Sequence, residues 1–571
     1  MGFKVKSFIF KHKIWKRMAQ QLEIKSPLEI FYQWETEKAN EIFMRQPING
    51  KWQNYTWKQC GSEVRSMAAY LKSLNYEPGS RIAILSKNCV HWILSDLAIW
   101  MAGHVSVPLY PNITPATLKQ ILEHSESKLV FVGKLDDWAY LKPGVPAHLP
   151  CIAYPFYGIS EFANWDDIIA KQIPLSENQV YPIENLATIM YTSGTTGIPK
   201  GVMHTFYNFA FAVTYALPEI GVRDNARFFS YLPMCHIAER LLIEMGCLYS
   251  GGTVAFAESL ETFPKNLAET KPTVFLAVPR IWAKFQEKIL QKIPQKKLNM
   301  LLKIPLISGM VKRKIKASLG LTEATNIFSG AAPISVDLIN WFGKLGIQIQ
   351  QAYAMTEDSC YSHVNVKNRD RTGTVGQNLP YVDVRISEEG EIQIKHPALM
   401  KGYFKEPQLS AEAFTPDGYF KTGDKGERDA QGYLKITGRV KDLFKTGKGK
   451  YVAPGPIEMR LMDDADIEQA CVVGVGLPQP IALLVLSEQG KKKAERDLEH
   501  GIRQVIYRIN NTLDSFEKLH KAIIVKDEWT VDNGFMTPTL KIKRNEVEKK
   551  YADKYESWYA VPEDVIWEHR N

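Results

Sequence analysis

Along this chain the hydrophobic pattern switches repeatedly between two periods. Short β-branched or aliphatic runs predict strands buried on both faces: RIAILS (81–86), VSVPLY (105–110), KLVFVG (128–133), ATIMY (187–191), TVFLAV (273–278), TNIFSG (325–330) and GIQIQQAY (346–353). Between them the spacing becomes helical. Val90–Ala102 reads as a helix, and TPATLKQILEHS reads as another with Thr114 as its cap and Pro115 in its first turn. Further helices are expected from near Pro279, over Ser335–Phe342, and through KGVMHTFYNFAFAVTYAL (200–217) directly after the strand 187–191. Repeated strand–helix–strand units imply an α/β fold of largely parallel, doubly covered sheets. After about residue 380 the texture changes to short strands with turn signals, EEGEIQIK and DAQGYLKITG, and DAQGY (429–433) reads as a solvated hairpin. Beyond Lys441 comes a compact piece with the size of a separate domain.

At 571 residues the chain exceeds what one core supports. The expected division is an arm over 1–25, a large domain over 26–438 and a small domain over 439–571, with the boundary at Arg439–Asp442. The seven cysteines are scattered without a C-x-x-C pair, which argues for a reducing compartment such as the cytoplasm and against a structural zinc site. No apolar run is long enough to cross a bilayer. The net charge of +9 is concentrated in residues 1–25, which hold seven cations against Glu23. A near-neutral body makes nucleic acid a poor candidate partner. The segment MGFKVKSFIFKHKIWKRMAQQ interleaves those cations with aromatic and aliphatic residues, so it is either a solvated arm or an anchor resting on an anionic membrane surface, the inner face of a membrane. It lacks a signal-peptide or myristoylation pattern.

One stretch carries the chemistry. MYTSGTTGIPKG (190–201) gathers hydroxyls and glycines around a single lysine, the composition of a loop that holds phosphate through backbone N–H groups and hydroxyls. It is not a Walker A loop, G-x-x-x-x-G-K-S/T. Counted from Gly194, Pro199 stands at the second glycine, and Gly201 follows Lys200 where Ser or Thr should bind magnesium. The loop follows an apolar strand, at the carboxyl end where α/β sheets bind ligands.

This loop resembles the signature of the adenylate-forming superfamily of acyl-CoA synthetases, coumarate-CoA ligases, luciferases and peptide-synthetase adenylation domains. Further blocks follow in the family's order: LPMCHIAER (232–240), SGAAPIS (329–335), QAYAMTE (351–357), YFKTGD (419–424), GYLKITGRVKD (432–442) and TPTLKIKR (537–544). The resemblance implies a large domain that includes a small barrel-like β region, and a small, mobile α+β domain that turns about Lys441. It implies ATP with Mg2+, and a thiol acceptor, coenzyme A. Thr192, Ser193, Gly194, Thr195, Thr196, Gly197 and Lys200 are assigned to the triphosphate, with Gly330, Ala331, Ala332 and Pro333 also at the nucleotide. In the next block, Gln351, Ala352, Tyr353 and Ala354 are placed at adenine, Tyr353 by stacking, and Thr356 near the phosphates. Glu357 with Thr192 is assigned to Mg2+; Asp424 and Arg439 to the ribose; Lys541 to the bridge between acid carboxylate and α-phosphate; and His236 to the space between carboxylate and phosphates. Ala352 and Ala354 stand where glycine is frequent, and Gln351 where glutamate is frequent.

LPMCHIAER, KGKYVAPGPIE (448–458) and TPTLKIKR are similar to the long-chain fatty acid branch, including Leu540 in place of the glycine usual in P-x-G-K. The implied activity is a long-chain fatty acid–CoA ligase, forming acyl-AMP and pyrophosphate and then acyl-CoA. Two rivals stay open: an acyl-AMP ligase that hands the adenylate to a carrier protein, and a non-catalytic lipid- or nucleotide-binding relative.

Overall fold

A computed structural model describes residues 22–192, 199–537 and 540–570. Residues 1–21 of the arm and the loop residues Ser193, Gly194, Thr195, Thr196 and Gly197 lie outside the described residues.

The apolar runs form two large sheets. In one of eight strands, Leu186–Thr192, Val105–Leu109, Arg81–Leu85, Leu129–Val132, Cys151–Ala153 and Ala163–Asn164 pair in parallel in that spatial order. In the other, of nine, five parallel pairings run from Ile42–Ile48 through Thr253–Phe256, Arg227–Ser230, Val274–Ala277 and Asn326–Ser329 to Gln350–Tyr353. Antiparallel strands close both edges of the nine-stranded sheet and one edge of the eight-stranded sheet. Helix Val90–Met101 has all twelve residues buried, because it belongs to a core that draws on strands of both sheets. Its Asp96 reaches the guanidinium of Arg240 at 2.5 Å, and Arg240 also donates to Thr188 (2.7 Å) and Ser106 (2.9 Å). Glu244 sits 3.5 Å from the same guanidinium, and burial together with the Asp96 charge holds its carboxyl well above the usual range.

One expected element differs. The helix expected over 200–217 begins only at Phe206; Lys200–Thr205 is a strand running antiparallel to Leu186–Thr192, with Thr192 opposite Lys200. The elements on either side of the phosphate loop are therefore two antiparallel strands rather than a strand and a helix. Thr205 supplies the helix break, its hydroxyl accepting from Asn208 N while Asn208 returns to Thr205 N.

After residue 380 comes a four-stranded antiparallel sheet, Asp383–Ile386, Glu391–Lys395, Phe420–Arg428 and Leu434–Arg439. The C-terminal part has its own sheet of Ile467–Val473, Ile481–Leu486, Lys521–Ile524 and Val565–Trp567. Helices Pro454–Leu461 and Glu495–Asn510 contribute to one of its two cores, and Arg544–Tyr551 and Tyr555–Ala560 to the other. All seven cysteines are free.

Candidate active site

The strands Phe420–Arg428 and Leu434–Arg439 place Asp424 directly opposite Arg439. Gly423 (φ 72°) turns the backbone just before Asp424 in a conformation that favours glycine. Arg439 Nε lies 3.0 Å from Asp424 Oδ1, and Tyr353 donates its hydroxyl to Asp424 Oδ2 at 2.8 Å. Burial raises the Asp424 carboxyl, opposed by the charges of Arg439 and Lys541 and by the Tyr353 hydrogen bond. Tyr353 ends the strand Gln350–Tyr353, and the loop after the neighbouring strand Asn326–Ser329 brings Gly330, Ala331, Ala332 and Pro333 alongside. Ala331 there has φ 66°, a left-handed conformation that costs a non-glycine residue on the order of 1–2 kcal/mol. Gln351 Oε1 and Ser329 Oγ are buried without a protein partner, so two polar groups at these strand ends await a ligand or water.

Thr356–Asp358 form a short 3₁₀ turn. The Asp358 carboxylate accepts from Met355 N (3.0 Å) and Tyr361 N (3.2 Å), and burial pushes it up to about 8. The neighbouring Glu357 accepts from the Tyr403 hydroxyl at 3.0 Å. The amine of Lys200 lies 5.5 Å from the centroid of the same Tyr403 ring, so one tyrosine ties the lysine of the phosphate loop to the acid of the turn.

Lys541 arrives from the C-terminal sheet's domain. The Met536–Ile542 bridge and Lys541 N donating to Thr537 Oγ1 (3.1 Å) hold it in place. Leu540 takes φ 60° there, the conformation that glycine would adopt without strain. The Lys541 side chain lines the cavity and keeps an exposed surface. Burial and the charge of Arg439 lower its pKa below the ordinary lysine value, while Asp424 and Glu357 partly restore it. His236 caps the turn Ile237–Glu239, its Nδ1 accepting from Ala238 N at 3.3 Å. Burial and the Lys541 cation push His236 down to about 4, so it is neutral at physiological pH. With Nδ1 accepting, the proton sits on Nε2 and is available as a donor.

All the expected site residues within the described part of the chain line one cavity of about 3960 Å³, and Lys441, exposed in the turn after Leu434–Arg439, lies at its margin. Part of the lining is apolar, from Val213 and Leu217 of helix Phe206–Glu219 and Leu241 and Leu242 of the π-helical turn Arg240–Met245.

Two residues escaped sequence reasoning. Tyr403 belongs to the two-residue strand Gly402–Tyr403, which pairs with Lys200–Thr205 from two hundred residues away. His204 lies on that same strand Lys200–Thr205. Its Nε2–H donates to the carbonyl of Thr356 (2.8 Å), its Nδ1 lies 3.1 Å from Ser359 Oγ, and burial pushes it down to about 4. A histidine in a hydrophobic run gives no local sign of such a partner.

The fold and this constellation define an adenylate-forming enzyme. The chain belongs to the AMP-binding enzyme family: the model of that family matches residues 31–404, and the model of the AMP-binding enzyme C-terminal domain matches 441–563. It is 28% identical over 588 residues to the long-chain-fatty-acid–CoA ligase FadD15 of Mycobacterium tuberculosis, covering 92% of this chain and 96% of that one. It is 27% identical over 589 residues to long-chain-fatty-acid–CoA ligase 5 of Rattus norvegicus, covering 90% and 85%. Among solved structures, the adenylation domain of the carboxylic acid reductase from Segniliparus rugosus, in complex with AMP and a co-purified carboxylic acid, superposes with a TM-score of 0.76 at 20% identity, covering 95% of each chain. The anthranilate CoA ligase AuaEII in complex with anthranoyl-AMP gives 0.76 at 19% identity, covering 93% and 98%.

Proposed function

We propose that the protein activates a long-chain fatty acid with ATP to the acyl-adenylate, with release of pyrophosphate, and then transfers the acyl group to coenzyme A. The observation that carries this is the convergence of Asp424, Arg439, Tyr353, Glu357, His236 and Lys541 on one cavity with an apolar section. At about 3960 Å³ it exceeds the roughly 300–1,000 Å³ of a single small-molecule pocket, leaving room for nucleotide and acyl chain together. The long-chain-fatty-acid–CoA ligase relatives supply the substrate class.

In this reading the Asp424 carboxylate exchanges its Tyr353 and Arg439 partners for ribose hydroxyls, an acceptor-only group suiting a diol. The unpaired Gln351 Oε1 receives a donor from the base. A carboxylate oxygen of the acid attacks the α-phosphorus as the bond to pyrophosphate breaks. Lys541, cationic between the two anions, lowers the cost of bringing them together, and the Nε2–H of His236 donates to an oxygen of the same group. Glu357 and Thr192 offer hard oxygen donors and would hold Mg2+. Among the described residues no cluster of three or more His, Cys, Asp or Glu forms a metal cage, which fits an ion that takes its remaining ligands from phosphate and water. When bound, that ion neutralises phosphate charge. In the second half-reaction the thiol sulfur attacks the acyl carbon and AMP leaves. We assign the rotation that admits the thiol to a hinge at Lys441, dividing residues 26–438 from 439–571.

ATP–pyrophosphate exchange across a panel of acids, followed by acyl-CoA formation from free CoA, tests this. Each added CH₂ should raise kcat/KM up to about fourfold until the pocket ends. Highest kcat/KM for short acids or hydroxycinnamates would refute the long-chain assignment. Exchange without acyl-CoA formation would favour the carrier-protein acceptor, and no exchange with any acid would favour a non-catalytic relative.

A further inference from the structure

Helix Pro279–Lys292 is anchored in the core by Trp282, Phe285 and Ile289, but the two helices after it are barely anchored. Gln295–Lys303 buries only Leu298, and Pro305–Ser318 buries only Ser308 and Ile315. Around their junction apolar side chains point into water: Leu306 is 86% exposed, Met310 61%, Met300 57% and Ile304 42%. Leu306, Met310 and Arg313 follow one another at helical spacing, so a single face of the second helix passes from apolar to basic.

The same segment is the most one-sided in charge among the described residues. Residues 284–318 hold ten lysines and arginines against one acid, Glu287, and none of the ten takes part in an ion pair of the described residues. The cations also crowd one another: burial and the charges of Lys312 and Lys367 lower the pKa of Lys316. Four solvent-facing aliphatic side chains among uncompensated cations serve neither packing nor solubility. A nucleic-acid backbone would satisfy the cations but offers nothing to the aliphatic tip. A bilayer with anionic headgroups satisfies both, phosphates meeting the lysines while the tip enters the boundary between headgroups and acyl chains. No helix of the described residues is long and apolar enough to cross a membrane, so the segment would lie on the surface.

We propose that the helical hairpin 295–318 docks the protein onto an anionic lipid bilayer, with Met300, Ile304, Leu306 and Met310 inserted at the headgroup–acyl boundary and the flanking lysines on lipid phosphates. This surface is distinct from the basic arm at residues 1–21. The preceding helix also lines the cavity, through Ala283 and Leu290, so docking would hold one wall of the cavity against the lipid. Docking of this kind requires only the exposed apolar tip and its flanking cations, whichever acid the cavity takes.

The test uses the full chain with Leu306→Cys bearing an environment-sensitive fluorophore; wild type labelled in parallel corrects for native cysteines. Emission should shift to the blue on vesicles of equimolar phosphatidylglycerol and phosphatidylcholine, not on phosphatidylcholine alone, and the shift should weaken with salt. Leu306→Glu/Met310→Glu and Lys312→Glu/Arg313→Glu/Lys314→Glu should each lower affinity for the anionic vesicles about tenfold or more, with activity on detergent-dispersed acid unchanged as evidence of folding. The proposal falls if the label does not shift on vesicles that bind the protein, if both variants bind as wild type, or if a DNA duplex rather than the vesicles shifts the label.

Discussion

Leu540, at φ 60°, shows how a single residue sets the presentation of the one beside it. Left-handed backbone costs a leucine roughly 1–2 kcal/mol, yet this is what turns Lys541 back into the cavity. Once there, the lysine's proton is less tightly held than in water, chiefly through burial. A lowered pKa means that the cation is present at low pH and is lost as pH rises through a value below the roughly 10.4 of free lysine. The kcat/KM for pyrophosphate exchange should therefore fall on the alkaline side earlier than free lysine would dictate. Lys541→Arg should remove that limb, and an unchanged limb would assign it elsewhere. Lys541→Ala should slow adenylate formation about 10²–10³-fold while thioester formation from supplied acyl-adenylate continues. His204 works at one remove. His204→Leu leaves the Thr356 carbonyl without its donor, at about 1–3 kcal/mol, and frees the turn that carries Glu357. The expected result is a larger fall in kcat/KM for ATP than for the acid, partly restored by His204→Gln; an equal fall for both would make the histidine purely structural.

Among the elements, the least legible was the strand Lys200–Thr205. Its residues KGVMHT continue into an apolar helix with no break in composition, and the Thr205 cap is visible only once the strand is known. What makes it a strand is non-local: Leu186–Thr192 on one side and Gly402–Tyr403 on the other. The parallel strands were legible because burial on both faces leaves continuous aliphatic runs, and the site residues because they sit in contiguous blocks. Tyr403 and His204 were not, since each acts through a partner more than a hundred and fifty residues away or on another strand. The arrangement of the two domains also rests on paired elements. Arg280, opening helix Pro279–Lys292, forms an ion pair with Glu468 of the strand Ile467–Val473 while Lys541 is in the site. Both side chains are more than a third exposed, so the pair is worth no more than about 1 kcal/mol, roughly a fivefold effect. Glu468→Ala should slow adenylation by two- to fivefold and leave the thiol step unchanged or faster, and the charge swap Arg280→Glu/Glu468→Arg should restore it. Lys441→Pro, restricting the turn between the domains, should do the opposite, sparing adenylation and impairing thioester formation. Equal losses in both half-reactions would show only damage to folding.

For the whole molecule, the two cores of the C-terminal sheet contain no residue before Phe444, while the large sheets share a core of their own. Two bodies that bury their apolar surfaces separately are expected to melt separately, so calorimetry of the ligand-free protein should resolve two transitions. A single transition would show that the two parts form one cooperative unit. In the proposed reaction a non-hydrolysable acyl-adenylate analogue would touch both, Asp424 on one side and Lys541 on the other. At a hundredfold excess over Kd it contributes about 2.7 kcal/mol, available only while both parts are folded and in contact. It should therefore raise the lower transition towards the upper one until they merge. In the proposed rotation the reaction intermediate would then be the fastener between the two halves, and loss of product would return the protein to two loosely joined pieces.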